Sequence, residues 1–364
     1  MKKIQILFSA IFLAIISLPI VFFDFKSEQN LREKRSLARF PILIEDGKFN
    51  SKFAAAAEGY INDRFGFRQA FIALNQKFEK IGNAVLITNN AIQGKDGWSF
   101  FLGGENGADF FKINLYGQED LDKIVGNVLK RQNFCMENGI DFILLICPNK
   151  HNVYPEKYFF DRPKGLSRGR QVFEALKKAG VNVVYPLDSL LLAKQEYSVP
   201  LYFENDTHWN LLGAKIGSEE LIGRIKKDFP QIDFPKIEYE MTVYENDAGG
   251  DITAFLGLSG GKRTDIGFNP KFQDGPLFDL KCDDFSLWND FSAKCKDPKL
   301  PRAKVYCDSF FPLTINFTAP MFSLLEGKKE LFPQTEKEEI LNSKPDMVIF
   351  EILERNFPVL LEPF

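Results

Sequence analysis

Apolar residues recur along this 364-residue chain in three rhythms. The first is an unbroken run. Residues 4–23 carry no charge and, Gln5 apart, are apolar or small, and they follow Met1-Lys2-Lys3. About 20 such residues suffice to cross a bilayer as a helix. The next segment, Phe23-Asp24-Phe25-Lys26, offers no small-residue cleavage site. An uncleaved signal anchor is therefore expected over residues 1–25, with a cleaved signal peptide as the alternative. Either way the two lysines stay in the cytoplasm and the rest of the chain lies outside. A charged stretch containing Arg32-Glu33-Lys34-Arg35 reads as a juxtamembrane linker, over residues 26–50.

The second rhythm is helical. Phe53, Tyr60, Ile61, Phe65, Phe71, Ile72 and Phe78 recur among charges in residues 51–85. The third is an alternation. Residues 92–102 read as a hairpin turning at Lys95-Asp96-Gly97. Helices are expected over 118–137, 168–178, 187–197 and 210–227. Strands are expected over 140–147, 181–186, 302–307 and 346–352. The first and last of these are almost continuously apolar, which suits strands buried on both faces. Strands alternating with helices predict an α/β fold, a three-layer sandwich around a mostly parallel sheet. Residues 229–300 break the alternation with paired glycines and prolines. That segment is too long for a plain connection, and is expected to be an insertion with its own short elements or a lid.

Composition narrows the chemistry. Apolar residues make up 45%, enough for one large domain or a medium one with an insertion. The formal charge of −3 gives no basic stripe for nucleic acid. The chain holds 38 phenylalanines, and these bear as much on compositional bias as on aromatic surfaces. It has only two histidines, His151 and His208, so a histidine-rich metal site is excluded and an imidazole base has two candidates. The five cysteines form no CxxC pair, and neither a metal nor a cofactor is expected. Cys282 and Cys295 are close enough in sequence for a local disulfide in an oxidising compartment. Cys147 and Cys307 read as small core residues.

Four segments carry candidate chemistry. Asp308-Ser309-Phe310 follows a strand and precedes an expected helix from about residue 312. A serine there sits at the carboxyl edge of the sheet, where open α/β folds bind ligands, with backbone N–H groups nearby for an oxyanion. The same serine serves equally as a plain helix cap. Asp206-Thr207-His208-Trp209 places a carboxylate two residues before an imidazole. The imidazole can take a serine proton, and the carboxylate can fix its tautomer. The competing reading is a capping loop in which His208 packs on Trp209. (Asn205-Asp-Thr and Asn316-Phe-Thr also match the glycosylation sequon, a pattern common by chance.) Pro148-Asn149-Lys150-His151 ends another strand. Asn149 is a candidate oxyanion donor and Lys150 a candidate for an anionic sugar or phosphate. His151 competes for the base role, but no carboxylate flanks it in sequence. Last, Glu351, Glu354 and Arg355 end the final strand. Glu354 and Arg355 read as an ion pair, with Arg355 a supporting substrate-binding candidate.

Taken in order, these segments resemble a known family. Phe40-Pro41 precedes Gly59-Tyr60-Ile61-Asn62-Asp63-Arg64-Phe65-Gly66-Phe67-Arg68. Then come Gly94-Lys95-Asp96-Gly97-Trp98-Ser99-Phe100, Pro148-Asn149-Lys150, Asp206-Thr207-His208-Trp209-Asn210, Asp308-Ser309-Phe310 and Glu354-Arg355. The set resembles the alginate O-acetyltransferase AlgJ/AlgX-related family, with its SGNH-hydrolase-like domain, over most of the chain. The resemblance implies such a domain over residues 51–364, including the insertion. It implies Ser309 as nucleophile, His208 as base and Asp206 as orienting acid. It further implies O-acetylation of a polysaccharide outside the cytoplasm, with acetyl groups supplied through a membrane-bound O-acyltransferase. One position departs from the family pattern: Cys307 stands where a glycine usually precedes the Asp-Ser pair, which bears on the oxyanion geometry. An acetyl esterase with the same triad and a non-catalytic member of a polysaccharide modification or export complex remain open.

Overall fold

The structure is a computed structural model. It describes residues 17, 20–25, 29–30, 35–45, 48–50, 52–66, 86–271, 276–282, 290–331 and 336–363. Most of the expected anchor, and residues 67–85 of the expected N-terminal helical region, lie outside the described residues. Among the described residues no helix is long and apolar enough to cross a membrane. A first helix, α1 (Phe53–Arg64), forms within the region expected to be helical.

The expected hairpin forms from β1 (Ala91–Gln93) and β2 (Ser99–Phe101). Its turn uses positive φ at Asp96 and Gly97. The main sheet has seven strands. In chain order they are β3 (Asp141–Cys147), β4 (Val183–Val184), β7 (Asp279–Cys282), β8 (Phe291–Lys294), β9 (Arg302–Tyr306), β10 (Leu324–Lys328) and β11 (Met347–Leu353). Their spatial order is β7-β8-β10-β9-β11-β3-β4. The pairings from β10 through β4 are parallel, whereas β7 and β8 join antiparallel. The sheet is therefore mixed.

Strands β3 and β11 form the centre. Every residue of β11, and all but the first of β3, is buried. Helix α2 (Gln118–Glu137) packs on β3, burying Ile124, Val128 and Cys135 at spacings of one and two helical turns. Helix α3 (Arg168–Lys178) is capped by the Ser167 hydroxyl, which accepts from the Arg170 N–H, and ends before Gly180 at φ 82°. Helix α4 (Leu187–Glu196) packs on α5 (Leu211–Asp228), and α5 also lies against β3.

Some expectations change. The strand expected over 181–186 shrinks to β4, because the Val181 N–H is still tied to the Leu176 carbonyl at the helix end and Pro186 has no N–H to give. The regular helix expected from residue 312 is a broken run of Phe311–Thr314, Ile315–Thr318 and Ala319–Met321. Prolines interrupt it, and the Thr314 and Thr318 hydroxyls donate to carbonyls of the preceding turn.

Segment 229–300 divides in two. Its second half supplies β7 and β8 to the sheet. Its first half is a separate antiparallel hairpin, β5 (Tyr239–Asn246) and β6 (Arg263–Pro270), whose connection contains the short helix α6 (Asp251–Phe255). Of the two readings left open for Cys282 and Cys295, the structure shows no disulfide between them. Cys282 pairs with Phe291, while Asp279 pairs with Lys294, so Cys295 lies beyond the opposite end of the ladder. At about 3.3 Å per residue the separation exceeds what a disulfide bridges.

Candidate active site

Strands β9, β11 and β3 run parallel, so their carboxyl ends open on one edge of the sheet. Asp308-Ser309, Glu354-Arg355 and Pro148-Asn149-Lys150 follow those ends. A fourth segment, residues 201–210, turns back on itself through a Tyr202–Trp209 bridge. It ends at Asn210, whose side chain caps α5 by accepting from the N–H groups of Leu212 and Gly213.

Ser309, His208 and Asp206 form one hydrogen-bonded chain. His208 Nε2 lies 2.7 Å from Ser309 Oγ, and His208 Nδ1 lies 2.6 Å from Asp206 Oδ1. The same Asp206 oxygen accepts the His208 backbone N–H at 3.0 Å. Burial works to raise the Asp206 carboxyl, but the adjoining imidazole and two backbone N–H groups hold it far below the usual range. Burial works to lower His208, and Asp206 and Asp251 overcome that, leaving it raised. The geometry favours an imidazolium that leans on its carboxylate.

The cap reading of Ser309 does not fit. The Phe310 N–H is accepted by Asp308 Oδ1, and no side chain caps the helical turn that follows. Asp308 instead fastens the loop, its other oxygen accepting from the Leu353 N–H and the Asn356 amide. Its own N–H donates to Glu351, which is thereby a supporting acceptor. The alternative packing of His208 on Trp209 also fails. His208 lies against Phe310, and buried Trp209 donates its indole N–H to the Phe310 carbonyl. Cys307 turns its thiol toward the Lys328 carbonyl, and burial pushes that thiol far above its usual pKa.

The supporting candidates divide. The side-chain amide nitrogen of Asn149 is buried and has no hydrogen-bond partner. Among the described residues the Ser309 N–H also makes no hydrogen bond. Asn149, Lys150 and Arg355 line one small cavity together with Asn106, His151 and Thr207. The Arg355 guanidinium lies 5.4 Å over the Phe101 ring. The expected Glu354–Arg355 ion pair is not formed. Glu354 points inward, accepting from the Asn149 N–H, the Asn152 amide and the Tyr185 hydroxyl, and burial followed by Asp109 raises it to about 7.

Lys150 lines the same cavity, but its ammonium is turned to the protein. Its buried ammonium donates to the carbonyls of Phe203, Glu204 and Asp206, at 3.2, 3.0 and 2.8 Å, using all three protons. It is the strap that shapes the histidine loop. Burial pulls it down to about 7, against Asp206, Asp251 and Glu204. His151 is held by Asp109 at 2.7 Å, with both side chains buried.

The sequence reading missed Asp251. Its oxygens accept the Thr207 N–H at 2.7 Å and the Thr207 hydroxyl at 2.6 Å, and its own N–H donates to Asp206 Oδ2 at 3.1 Å. The available signal was Gly249-Gly250-Asp251, a turn opening a short apolar run inside the unexplained segment. Gly250 is required there, because a Cβ would come within 2.4 Å of the Asp206 Cβ. Donor atoms of Asp206, His208 and Asp251 lie within 4.8 Å of one another. Each is already engaged by protein hydrogen bonds, so a metal would have to displace them.

Known proteins resemble this chain in both sequence and fold. Residues 91–270 match the family model described as "SGNH hydrolase-like domain, acetyltransferase AlgX". Over that stretch, just under half of the chain, it is similar to the AlgJ/AlgX-related family. The matched stretch contains the histidine loop and the hairpin that carries Asp251. Two curated relatives are each named "Probable alginate O-acetylase AlgJ". The one from Pseudomonas syringae pv. tomato is 25% identical over 71% of this chain and 61% of its own length. The one from Pseudomonas aeruginosa is 27% identical over 62% and 55%. The chain thus spans less than two thirds of either. Among solved structures, the O-acetyltransferase domain of Pseudomonas putida AlgJ matches with a TM-score of 0.50 at 17% identity, covering 74% of this chain and 92% of that one. At that identity the likeness speaks for the fold.

Proposed function

We propose that this chain is an O-acetyltransferase that moves acetyl groups onto hydroxyls of a polysaccharide outside the cytoplasm. The hydrogen-bonded chain Asp206–His208–Ser309 at the carboxyl edge of the sheet carries the reading. Ser309 Oγ attacks the carbonyl carbon of an acetyl ester while His208 Nε2 takes its proton. The Asn149 amide and the Ser309 N–H, both without partners, receive the oxyanion. The intermediate collapses to acetyl-Ser309, and His208 returns the proton to the departing alcohol. A sugar hydroxyl then gives its proton to His208 and attacks the acetyl carbon. The acetylated sugar leaves, and Ser309 regains its proton.

A membrane-bound O-acyltransferase is the donor partner we assign. The apolar run of residues 4–23 would hold the chain beside it at the membrane. With water in place of the sugar the same steps give an acetyl esterase. The AlgX-type domain match and the AlgJ-named relatives favour transfer.

The test supplies a chromogenic acetyl ester as donor and measures both release of the chromophore and acetyl transfer to an oligosaccharide. Ser309→Ala is expected to abolish both, a loss of about 10³-fold or more. Full activity in that variant would remove the reading. Chromophore release that no oligosaccharide intercepts would point to the esterase.

A further inference from the structure

The hairpin part of segment 229–300 reaches the catalytic loop. Loop 203–208 is held from the hairpin side at several points. The Ile252 N–H donates to the Asn205 carbonyl, the Asn205 amide donates to the Lys262 carbonyl, and Thr264 donates twice to Glu204. Asp251 stands at the centre of this contact. Both its oxygens grip Thr207, the residue between the acid and the base, while its N–H occupies Asp206 Oδ2 and leaves Oδ1 to the imidazole. Its Oδ2 also lies 3.9 Å from His208 Nδ1. That is too long for a hydrogen bond and short for two charges in a partly buried site.

We propose that Asp251 is a positioning residue of the transfer reaction, a second carboxylate that locks the Asp206–Thr207–His208 loop and adds its charge to the field on the imidazole. This rests on the triad reading above. Two roles combine here, and they are separable. The grip on Thr207 sets the loop, and a neutral side chain of the same shape preserves it. The charge stabilises the imidazolium formed each time His208 takes a proton, and only a carboxylate supplies it.

The charged groups around His208 come from several elements. Asp206 on its own loop and Asp251 from α6 favour the imidazolium, and Arg355 from the end of β11 opposes it. From the end of β9 come neutral Ser309 and Phe310. Arg263 of β6 lies 3.8 Å from Asp206, and Lys150 binds the loop carbonyls. Burial and the neighbouring Asp206 raise Asp251, while Asp206 is depressed. Acid therefore discharges Asp251 before Asp206.

The chain's two histidines make the test direct. Full-length protein labelled at histidine is titrated by NMR, and turnover of a chromogenic acetyl ester is followed in parallel. Asp251→Asn is expected to lower the His208 midpoint by about half a unit or more and kcat by about 10-fold, with His151 unmoved. Thr207→Val removes one grip but no charge, and is expected to leave the His208 midpoint in place. Asp251→Ser, which keeps one acceptor for Thr207, gives the same reading if the asparagine variant does not fold. An unmoved His208 midpoint in the Asp251 variant overturns the proposal. Wild-type turnover in Ser309→Ala overturns it by another route, because the triad then fails while the midpoint shift persists.

Discussion

His151 and His208 each face an aspartate, at 2.7 Å to Asp109 and 2.6 Å to Asp206. The two pairs share their chemistry and differ in their surroundings. The His151 and Asp109 side chains are 4% and 1% exposed, whereas those of His208 and Asp206 are 17% and 12% exposed. Burial dominates His151 and lowers it, despite the carboxylate. Around His208 burial is outweighed by Asp206 and, after it, Asp251, whereas at His151 Arg162 and Arg168 add to the lowering. Only His208 has a serine hydroxyl on its far nitrogen. A histidine–aspartate pair becomes a base through its third partner and its access to solvent, not through the pair itself.

Exchanging the roles experimentally should give the largest effects. His208→Ala is expected to cut ester turnover by about 10³-fold or more while the protein stays folded. His151→Ala is expected to leave turnover per folded molecule near wild type and to cost about 3 kcal/mol in urea unfolding, because buried Asp109 keeps only the longer Asn152 contact and the fields of Arg168 and Arg162. The reverse pattern would place the base at His151.

The pairs also differ in the sign of their pH dependence. Asp109 is depressed to about 2, burial working against it and His151 holding it down. Its stabilisation is full above the ordinary value of 3.8 and is lost as pH falls toward 2. His151 lies below its ordinary 6.5, so its share is also lost on the acid side. His208 lies above 6.5, so the stability it lends is present below that value and fades as pH rises through its folded pKa. As a base, His208 must be neutral. The profile of kcat/KM is therefore expected to rise through an acid limb above pH 6.5. A limb at or below 6.5 would show that the carboxylates do not control it.

A smaller effect is expected from Lys150→Met, which strips three loop carbonyls of their donor. The cost is about 1–3 kcal/mol of stability, read by denaturant titration, with KM for the ester unchanged. A selective rise in KM would return Lys150 to the substrate. The smallest effect belongs to Cys307→Ala. Its thiol faces the Lys328 carbonyl, and the change is expected to cost about 1 kcal/mol and leave turnover within about twofold.

The sequence made some of this legible and withheld the rest for physical reasons. Helices α2 and α3 match their expected limits, because amphipathic spacing and Gly180 mark them from within. Strands β3 and β11 are legible as apolar runs. Strand β10 (Leu-Leu-Glu-Gly-Lys) is half polar and too short for a period to show, and β7 and β8 sit among charges. The acid and base share one short loop, so local spacing brings them together. Ser309, about a hundred residues on, needs the parallel topology. Where Lys150, Glu354 and Arg355 point is set by neighbours distant in the chain. Lysine at a strand end reads alike whether it faces a ligand or three carbonyls. Asp251 was hidden because its partners lie across a fold boundary.

Gly250 ties two lengths of chain into one unit of inheritance. With no room for a Cβ against Asp206, the hairpin tip and the histidine loop cannot drift independently. A side chain gained at 250 obliges loop 203–208 to move, and a moved loop has no counterpart in the old tip. Grafting a foreign hairpin onto this scaffold therefore means transplanting residues 201–210 with it. Relatives that differ in the hairpin should differ in the loop in step.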